Sequence, residues 1–438
     1  MSLSSKDIEK NQKGLTLEET ESVLEQTEVI NLKQTLFRKI ISDFKPVDII
    51  EPDPSLTKEQ QAIANTVTVP LQRKLKGRHI QMIAIGGSIG AGLFIASGRV
   101  LKTGGPGGVS IGYCLIGLLM FLTMTALGEL GVRFPVSGVF SAYNTRFIDR
   151  TVTISYWKGD HNGATEVNPA AWVSLFIAVI TFINLFGVQG YGEAECVFSS
   201  IKVLTIVGFI ILGIVLTRGG GPHGHYLGLK HWDNPGTFAN GTKRVISVLM
   251  SATYAFSGTE LAACKQVFWR ILLFYVVSLT LVGCLVPYTD HRLGAAANAS
   301  ASPFVIAIKN AGISGLPSVI NLVIIIAVLS VGNAAIFAAS RTIGSMSAQG
   351  FGPRFLLTID RRGRPLYALL VVFAFGLLGF IAASDQAGTA FNWLSSIGGL
   401  ASILIWGSIN LCYIRNRLAM RQQDVSTDLL EYKAPLGI

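Results

Sequence analysis

Residues 80–98 read IQMIAIGGSIGAGLFIASG, and this stretch decides the fold. It carries no charged side chain and is close to the ~20 residues that a helix needs to cross a bilayer. Its glycines each weaken a helix by about 1 kcal/mol relative to alanine, so we expect the helix to break here and expose backbone N–H groups that attract an anion. From the residues alone, close helix packing through small side chains explains the same glycines equally well.

The composition of the whole chain points to a bilayer. Of its 438 residues, 50% are hydrophobic and only 14% are charged, whereas soluble domains carry about 25% charged residues. This excludes a disulfide-rich scaffold, a collagen and a disordered chain. The net charge of +10 is expected on cytosolic loops, so we predict no nucleic-acid partner. The five cysteines form no CxxC pair and indicate neither disulfides nor a metal site.

Nine apolar runs have the length and composition of membrane spans. They cover residues 80–98, 108–127, 170–187, 197–217, 245–264, 271–288, 317–340, 366–383 and 391–413. The sequence thus predicts a largely flexible cytosolic tail at 1–79, a transmembrane domain at 80–413 and a cytosolic segment at 414–438.

Basic residues test the orientation of these spans, because Lys and Arg concentrate in short cytosolic loops. Arg-rich segments lie before the first run, between residues 340 and 366, and after residue 413. Counting spans from the two chain ends gives results that differ by one crossing. Either one run is not a span, or a helix is missing between about residues 150 and 170.

Charged residues inside the runs are candidates for function, because a charge in the bilayer is costly. Glu260 is a functional carboxylate or a helix-end residue that reaches the headgroups. Lys202 is a buried amine that takes part in proton coupling or a side chain that reaches the cytosolic surface. Glu129, Glu193 and Glu195 lie at run ends and are predicted to be solvated. No catalytic set or metal-ligand cluster is present, so we predict neither an enzyme nor a metalloprotein.

Several longer motifs resemble the fungal amino acid permeases of the amino acid–polyamine–organocation superfamily. They occur in family order from about residue 70 to 438 and include GRHIQMIAIGGSIGAGLFIASG (77–98), LGELGVRFPVSGVFSAYNTRFID (127–149), GYGEAE (190–195), FSSIKV (198–203), FSGTE (256–260), KQVFWRILLFYVVSL (265–279), SRTIGSMSAQGFGPRFL (340–356), DRRGRPL (360–366) and FNWLSSIGG (391–399).

This resemblance implies an all-α polytopic fold of two inverted five-helix repeats, with the first and sixth helices broken, followed by two further helices. Backbone amides of the broken first helix would bind the substrate carboxylate at Ser88, Ile89, Gly90, Ala91 and Gly92. The broken sixth helix would offer carbonyls to the substrate ammonium at Ala255, Phe256 and Gly258, with Phe256 as a gate. The resemblance assigns proton coupling to Glu260 and Lys202, and Asn333 and Ser396 are candidate pocket residues.

The sequence departs from the family pattern in three places. The segment that follows Asp149 passes directly into a stretch that resembles the loop after the third helix, so this helix is expected to be missing. An acidic cytosolic stretch after Cys264 and the last two helices of the family are also expected to be absent.

The resulting functional prediction is proton-coupled import of amino acids by alternating access, driven by the proton gradient without a cofactor. The expected partners are an amino acid, the lipid bilayer and trafficking proteins that bind the N-terminal tail. The plasma membrane is the expected location, with retention in the endoplasmic reticulum if the chain misfolds. A shortened and inactive form, and an amino acid sensor that signals through the tail, are the alternatives.

Overall fold

The computed structural model describes residues 76–90, 92–133, 169–222, 224–239, 241–256, 265–293, 302–377 and 387–426, together with residues 42, 380, 430 and 432–434. The predicted N-terminal tail, the expected site of the missing helix and residues 257–264 therefore lie outside the described part of the chain. Ala91, Gly258 and Glu260 are among the residues that it does not cover.

The described part of the chain is all-helical and contains no β-strand. Its main helices are α1 (Gly77–Ser88), α2 (Ser97–Arg133), α3 (Pro169–Leu185), α4 (Gly187–Thr217), α5 (Thr242–Phe256), α6 (Lys265–Leu285), α7 (Pro303–Asn310), α8 (Leu316–Ala348), α9 (Leu366–Gly376) and α10 (Ala387–Gln422). Each of the nine apolar runs coincides with one of these helices or with the α1–α2 segment, so the prediction of helical runs is confirmed.

Among the residues that the structure describes, four helical segments are long and apolar enough to cross a membrane. They are Gly77–Arg133, Gly187–Thr217, Leu316–Ala348 and Ser396–Gln422, and shorter apolar helices accompany them. Large apolar side chains on their outer faces are exposed, such as Leu204, which is 72% exposed. Because the surrounding solvent of a spanning helix is lipid, this exposure is expected of a multi-pass membrane protein.

The first span breaks and then reverses direction. Helix α1 ends at Ser88, and Ile89 has extended backbone angles before a π-helical turn at Gly92–Ala96 leads into α2. Within α2, Gly105 has φ 71°, so its backbone turns the chain back. There it touches the backbone of the 237–239 segment, so a side chain would not fit.

Helix packing brings the two halves of the chain together. The second half of α2 packs along α5 and α6, while α1 packs against α4 and α8, and α5 also contacts α10. One continuous apolar core runs through these helices. The broken segment at Ile89 lies inside this core and is fully buried.

The Arg-rich segments gather at one end of the bundle. Arg78, before the first span, donates a 2.6 Å hydrogen bond to Glu193 in the first turns of α4. Gly187, where α4 begins, lies beside the backbone of Arg362, and Arg133 at the end of α2 contacts Met420 of α10. This common end agrees with the prediction that the three segments share the cytosolic side.

Candidate functional site

The interruption after α1 separates backbone groups that a continuous helix would pair. The Ile89 N–H still donates to the Ile85 carbonyl at 2.9 Å, so it remains part of α1. The Gly90 carbonyl accepts from the N–H groups of Leu93 and Phe94, both at 3.1 Å. Within the described residues, the Gly90 N–H has no backbone acceptor.

The glycines around this interruption also permit close packing. A Cβ at Gly90 would overlap Val331 of α8, and a Cβ at Gly92 would lie 2.6 Å from the Cα atom of Ala255 at the end of α5. The prediction that the helix breaks here and the close-packing alternative are both seen, while binding of an anion at the break stays a prediction. The chain breaks there, and the absence of side chains lets α5 and α8 approach the break.

Tyr275 of α6 joins the ends of two helices. Its hydroxyl lies 2.7 Å from the Ser88 carbonyl oxygen and 2.9 Å from the Ala255 carbonyl oxygen. The hydroxyl carries a single hydrogen, so it cannot donate fully to both carbonyl oxygens. A group with several N–H donors could bond to both oxygens at once. Two converging carbonyls at helix C-terminal ends favour a cation such as an ammonium group.

Aromatic rings close this position from one side. The Tyr275 ring stacks on Phe256 with centroids 4.8 Å apart and on Tyr113 at 5.6 Å. All three side chains are completely buried, and Ser88 is 3% exposed. The end of α5 and the hydroxyl of Tyr275 are therefore buried under aromatic rings, and the role of Phe256 as a gate stays a prediction. Sequence reasoning did not single out Tyr275, which looks like any aromatic residue in an apolar run.

A buried polar cluster lies beside α1, one turn before the break. The Lys202 ammonium donates to the Gly86 carbonyl at 2.7 Å and to the Ser330 hydroxyl at 2.6 Å. Lys202 is fully buried, so the alternative that it reaches the membrane surface is wrong. Its ammonium group is instead hydrogen-bonded to a backbone carbonyl of the broken first span.

Glu195 provides the negative charge of this cluster. Its Oε1 atom lies 3.8 Å from Lys202 Nζ and accepts a short hydrogen bond from Ser330. Its Oε2 atom accepts from Asn333 at 3.4 Å, and Asn333 in turn accepts from Asn184 at 2.9 Å. Asn333 is thus buried in the polar cluster, whereas Ser396 is exposed on α10 and does not join it.

Two of the three glutamates predicted to be solvated are buried. Glu195 is 0% exposed and Glu129 is 1% exposed, so that prediction is wrong for both, while the exposed Glu193 confirms it. Glu129 forms an ion pair with Arg417 at 2.8 Å. Helix α4 begins ten residues before its apolar run, and the face of this extension that carries Glu195 packs on Gly86 and Ser330 while Glu193 faces outward. Glu129 is covered because it faces Arg417 of α10.

The sequence that forms this fold and its broken first span matches a known protein family. The family model described as "Amino acid permease" matches residues 79–156 and 151–438. This chain belongs to the amino acid permease family. As a permease it is an all-helical, multi-pass membrane protein of amino acid transport, and the identification of the family from its motifs is confirmed.

Curated relatives of this permease come from yeasts. The general amino-acid permease GAP2 of Candida albicans is 48% identical over 448 aligned positions that cover 92% of this chain and 75% of that protein. The general amino-acid permease GAP1 of Saccharomyces cerevisiae is 46% identical, with 90% and 73% covered. The tryptophan permease of the same yeast is 44% identical, with 93% and 72% covered.

Proposed function

We propose that this permease binds an α-amino acid at the break of its first span and imports it across the plasma membrane with a proton. The carbonyl pair at Ser88 and Ala255 carries the proposal, because it offers acceptors at two helix ends around a single point. The Gly90 N–H, on the other side of the same break, suits the carboxylate. These groups recognise the part that all α-amino acids share.

The names of the relatives support a site built from backbone groups. One relative is named for tryptophan, another for histidine, and two others are named general amino-acid permeases. Substrates that differ in their side chains still share the ammonium and the carboxylate. A site made of backbone N–H and C=O groups therefore serves the whole family, and the side-chain specificity of this chain has to come from other residues.

Proton coupling is supported by the position of Lys202. Its ammonium bonds directly to the Gly86 carbonyl, four residues before Gly90. A change in the charge of this cluster would therefore alter the force that holds α1 against α4. Such a connection between protonation and the broken span is what alternating access driven by a proton gradient requires. Glu260, the second residue proposed for coupling, lies outside the described residues.

Ligand-induced stabilisation of the purified chain tests the binding site. We expect an L-amino acid to raise the Tm, while the matching amine without a carboxylate and the matching acid without an amine leave it unchanged. These two analogues keep the side chain and so serve as matched controls. Equal stabilisation by an analogue, or none by any proteinogenic amino acid, would contradict the proposed site.

As the alternative to active import, we propose that the chain is a shortened and inactive form that lacks one scaffold helix between about residues 150 and 170. The family match is split into two segments that meet at 151–156, and the aligned span of 448 positions is longer than the chain. Both facts fit internal residues that relatives have and this chain lacks. Uptake of labelled amino acid in a permease-deficient host, at a rate near that of a full-length relative, would overturn this proposal.

A further inference from the structure

Glu195 and Lys202 are bridged by a serine hydroxyl, which a structural ion pair does not require. It is completely buried together with Lys202 and Ser330, and the serine hydroxyl lies between the two charged groups. Lys202 donates to Ser330, and Ser330 donates to Glu195, while the direct distance from Nζ to Oε1 is 3.8 Å. The three groups form a continuous chain of hydrogen bonds in one direction.

We propose that Glu195 is the carboxylate that takes up the transported proton, acting as one unit with Ser330 and Lys202. This inference rests on the proposed proton-coupled function and names the group that binds the proton. It differs from a role for Lys202 alone, because the carboxylate and the ammonium exchange protons through the serine.

The exchange is balanced in atoms and charge. The Lys202 ammonium gives one proton to Ser330 Oγ while Ser330 gives its own proton to Glu195 Oε1, which leaves a neutral amine and a neutral carboxylic acid. No heavy-atom bond changes and nothing is oxidised. A second proton from the aqueous phase then restores the ammonium, so the loaded unit holds one proton more than the ion pair and carries a net positive charge.

Burial makes the neutral state accessible. Taking two charges out of water costs more than their attraction returns unless hydrogen bonds satisfy both groups, and transfer of the proton to the carboxylate removes both charges at once. The protonated Oε1 then donates to Ser330 Oγ, while Asn333 keeps its bond to the second oxygen of Glu195.

Transfer of the proton from Lys202 to Glu195 changes the contact between α1 and α4. Ser199 of α4 donates to the Met82 carbonyl, and Gly86 has no room for a side chain because Glu195 and Ser199 press against it. In the neutral state the amine binds the Gly86 carbonyl less strongly than the ammonium does. The first half of the broken span therefore responds to the protonation of Glu195.

Other titratable groups on the surrounding helices are engaged elsewhere. On α1, His79 and Arg78 both bond to Glu193. On α8, Arg341 lies 3.4 Å over the Phe337 ring, which also stacks on the Tyr191 ring of α4. Tyr191 is the exception, since it lies near enough to Glu195 to interact with it electrostatically and its buried hydroxyl has no hydrogen-bond partner among the described residues. On α6, Tyr275 bonds to Ser88 and Ala255. The sequence of α3 contains no titratable side chain.

Infrared difference spectroscopy of the full chain in lipid nanodiscs tests the proposal without any need for transport. A step in pH should produce a band of a protonated carboxyl group that is lost in Glu195→Gln. The band should persist in the matched control Glu193→Gln, which changes an exposed glutamate two residues away. A band that persists in Glu195→Gln would overturn the proposal, as would its absence from the native chain.

A second variant keeps the test decisive if Glu195→Gln does not fold. Ser330→Ala removes the hydroxyl between the charges and keeps both of them, so the midpoint of the band should shift by about 1 pH unit. An unchanged midpoint would contradict the serine's role. Because neither measurement uses an amino acid, a failure here is separate from a failure of the ligand-stabilisation test.

Discussion

At Gly86 the absence of a single Cβ brings two transmembrane helices into contact. The Glu195 carboxylate and the Ser199 hydroxyl occupy the space that a side chain would fill. The sequence indicates that glycines matter here, but it does not tell which of them breaks the helix and which one admits a neighbour. Gly86 belongs to the second kind, since it lies within α1.

Replacing Gly86 by alanine tests this contact. We expect Gly86→Ala to lower the free energy of unfolding by about 1–3 kcal/mol, because the added methyl group overpacks a buried polar cluster. Gly208→Ala is the matched control, since Gly208 is also within a helix but has open space around its Cα. There alanine should be neutral or stabilise by up to about 1 kcal/mol. Thermal unfolding of both purified variants measures the difference, and equal effects would refute the contact.

Tyr275 gives the second prediction at this scale. Removal of its hydroxyl in Tyr275→Phe leaves two buried carbonyls without a donor, which should destabilise the empty protein by about 1–3 kcal/mol. Amino acid binding should become tighter, because the ammonium no longer competes with the hydroxyl. A lower Tm together with a lower Kd is the signature, since loss of a merely structural residue would lower the Tm and raise the Kd.

Tyr113→Phe is the control for this experiment. The Tyr113 ring stacks on the Tyr275 ring, but the buried Tyr113 hydroxyl has no hydrogen-bond partner among the described residues. Its removal should therefore leave binding unchanged and stability unchanged or improved. If Tyr275→Phe weakens binding instead, the hydroxyl does not compete with the substrate.

At the scale of elements, the apolar runs predict the helices well and their ends poorly. Apolar length determines where a helix can cross the bilayer, so all nine runs are found. The positions of the helix ends depend on contacts with other helices, and these contacts cannot be deduced from the sequence of a single segment. Helix α10 continues to Gln422 past the run that ends at 413, and α4 begins at Gly187 before the run at 197. Glu195 is hidden in this extension, which explains its misassignment.

The loop after α6 provides a prediction about pH. Hydrogen bonds from Arg292 lower the pKa of Asp290, and Arg292 also bonds to Asn310 at the end of α7. A lowered pKa in the folded state means that this stabilisation is present above the ordinary pKa of about 4 and is lost as the pH falls through the folded value. The Tm difference between the native chain and Asp290→Asn should therefore be largest above about pH 5 and vanish in acid.

The exposed Asp233 supplies a control in another loop. Asp233→Asn should change the Tm little at any pH, since an exposed carboxyl without such a partner contributes little. A Tm difference for Asp290→Asn that does not depend on pH would contradict the assigned cause.

For the whole molecule, charge determines orientation. The bias of Lys and Arg predicted one side for three segments, and the packed helices bring them to one end without reference to any membrane. Two independent properties, loop charge and helix packing, thus assign the three segments to the same end of the bundle. What the sequence could not provide is the pairing of distant helices, such as Glu129 of α2 with Arg417 of α10.

Labelling from outside the cell tests this orientation. Cysteines introduced at Lys230 or Lys309, which are exposed at the opposite end of the bundle, should react with a membrane-impermeant thiol reagent in intact cells. Cysteines at Lys76 or Arg354, also exposed, should react only after the membrane is permeabilised. The unmodified chain gives the background from the native cysteines. Labelling of either cytosolic position in intact cells would show that the bundle inserts inverted.

The Tyr275 hydroxyl has a single proton for two carbonyl oxygens. Among the described residues it can fully satisfy only one of the Ser88 and Ala255 carbonyls at a time. Under the proposed function, a bound ammonium would donate to both carbonyls at once. Part of the affinity for an amino acid would then come from a hydrogen-bond deficit that already exists in the empty protein, at the ends of two separate helices.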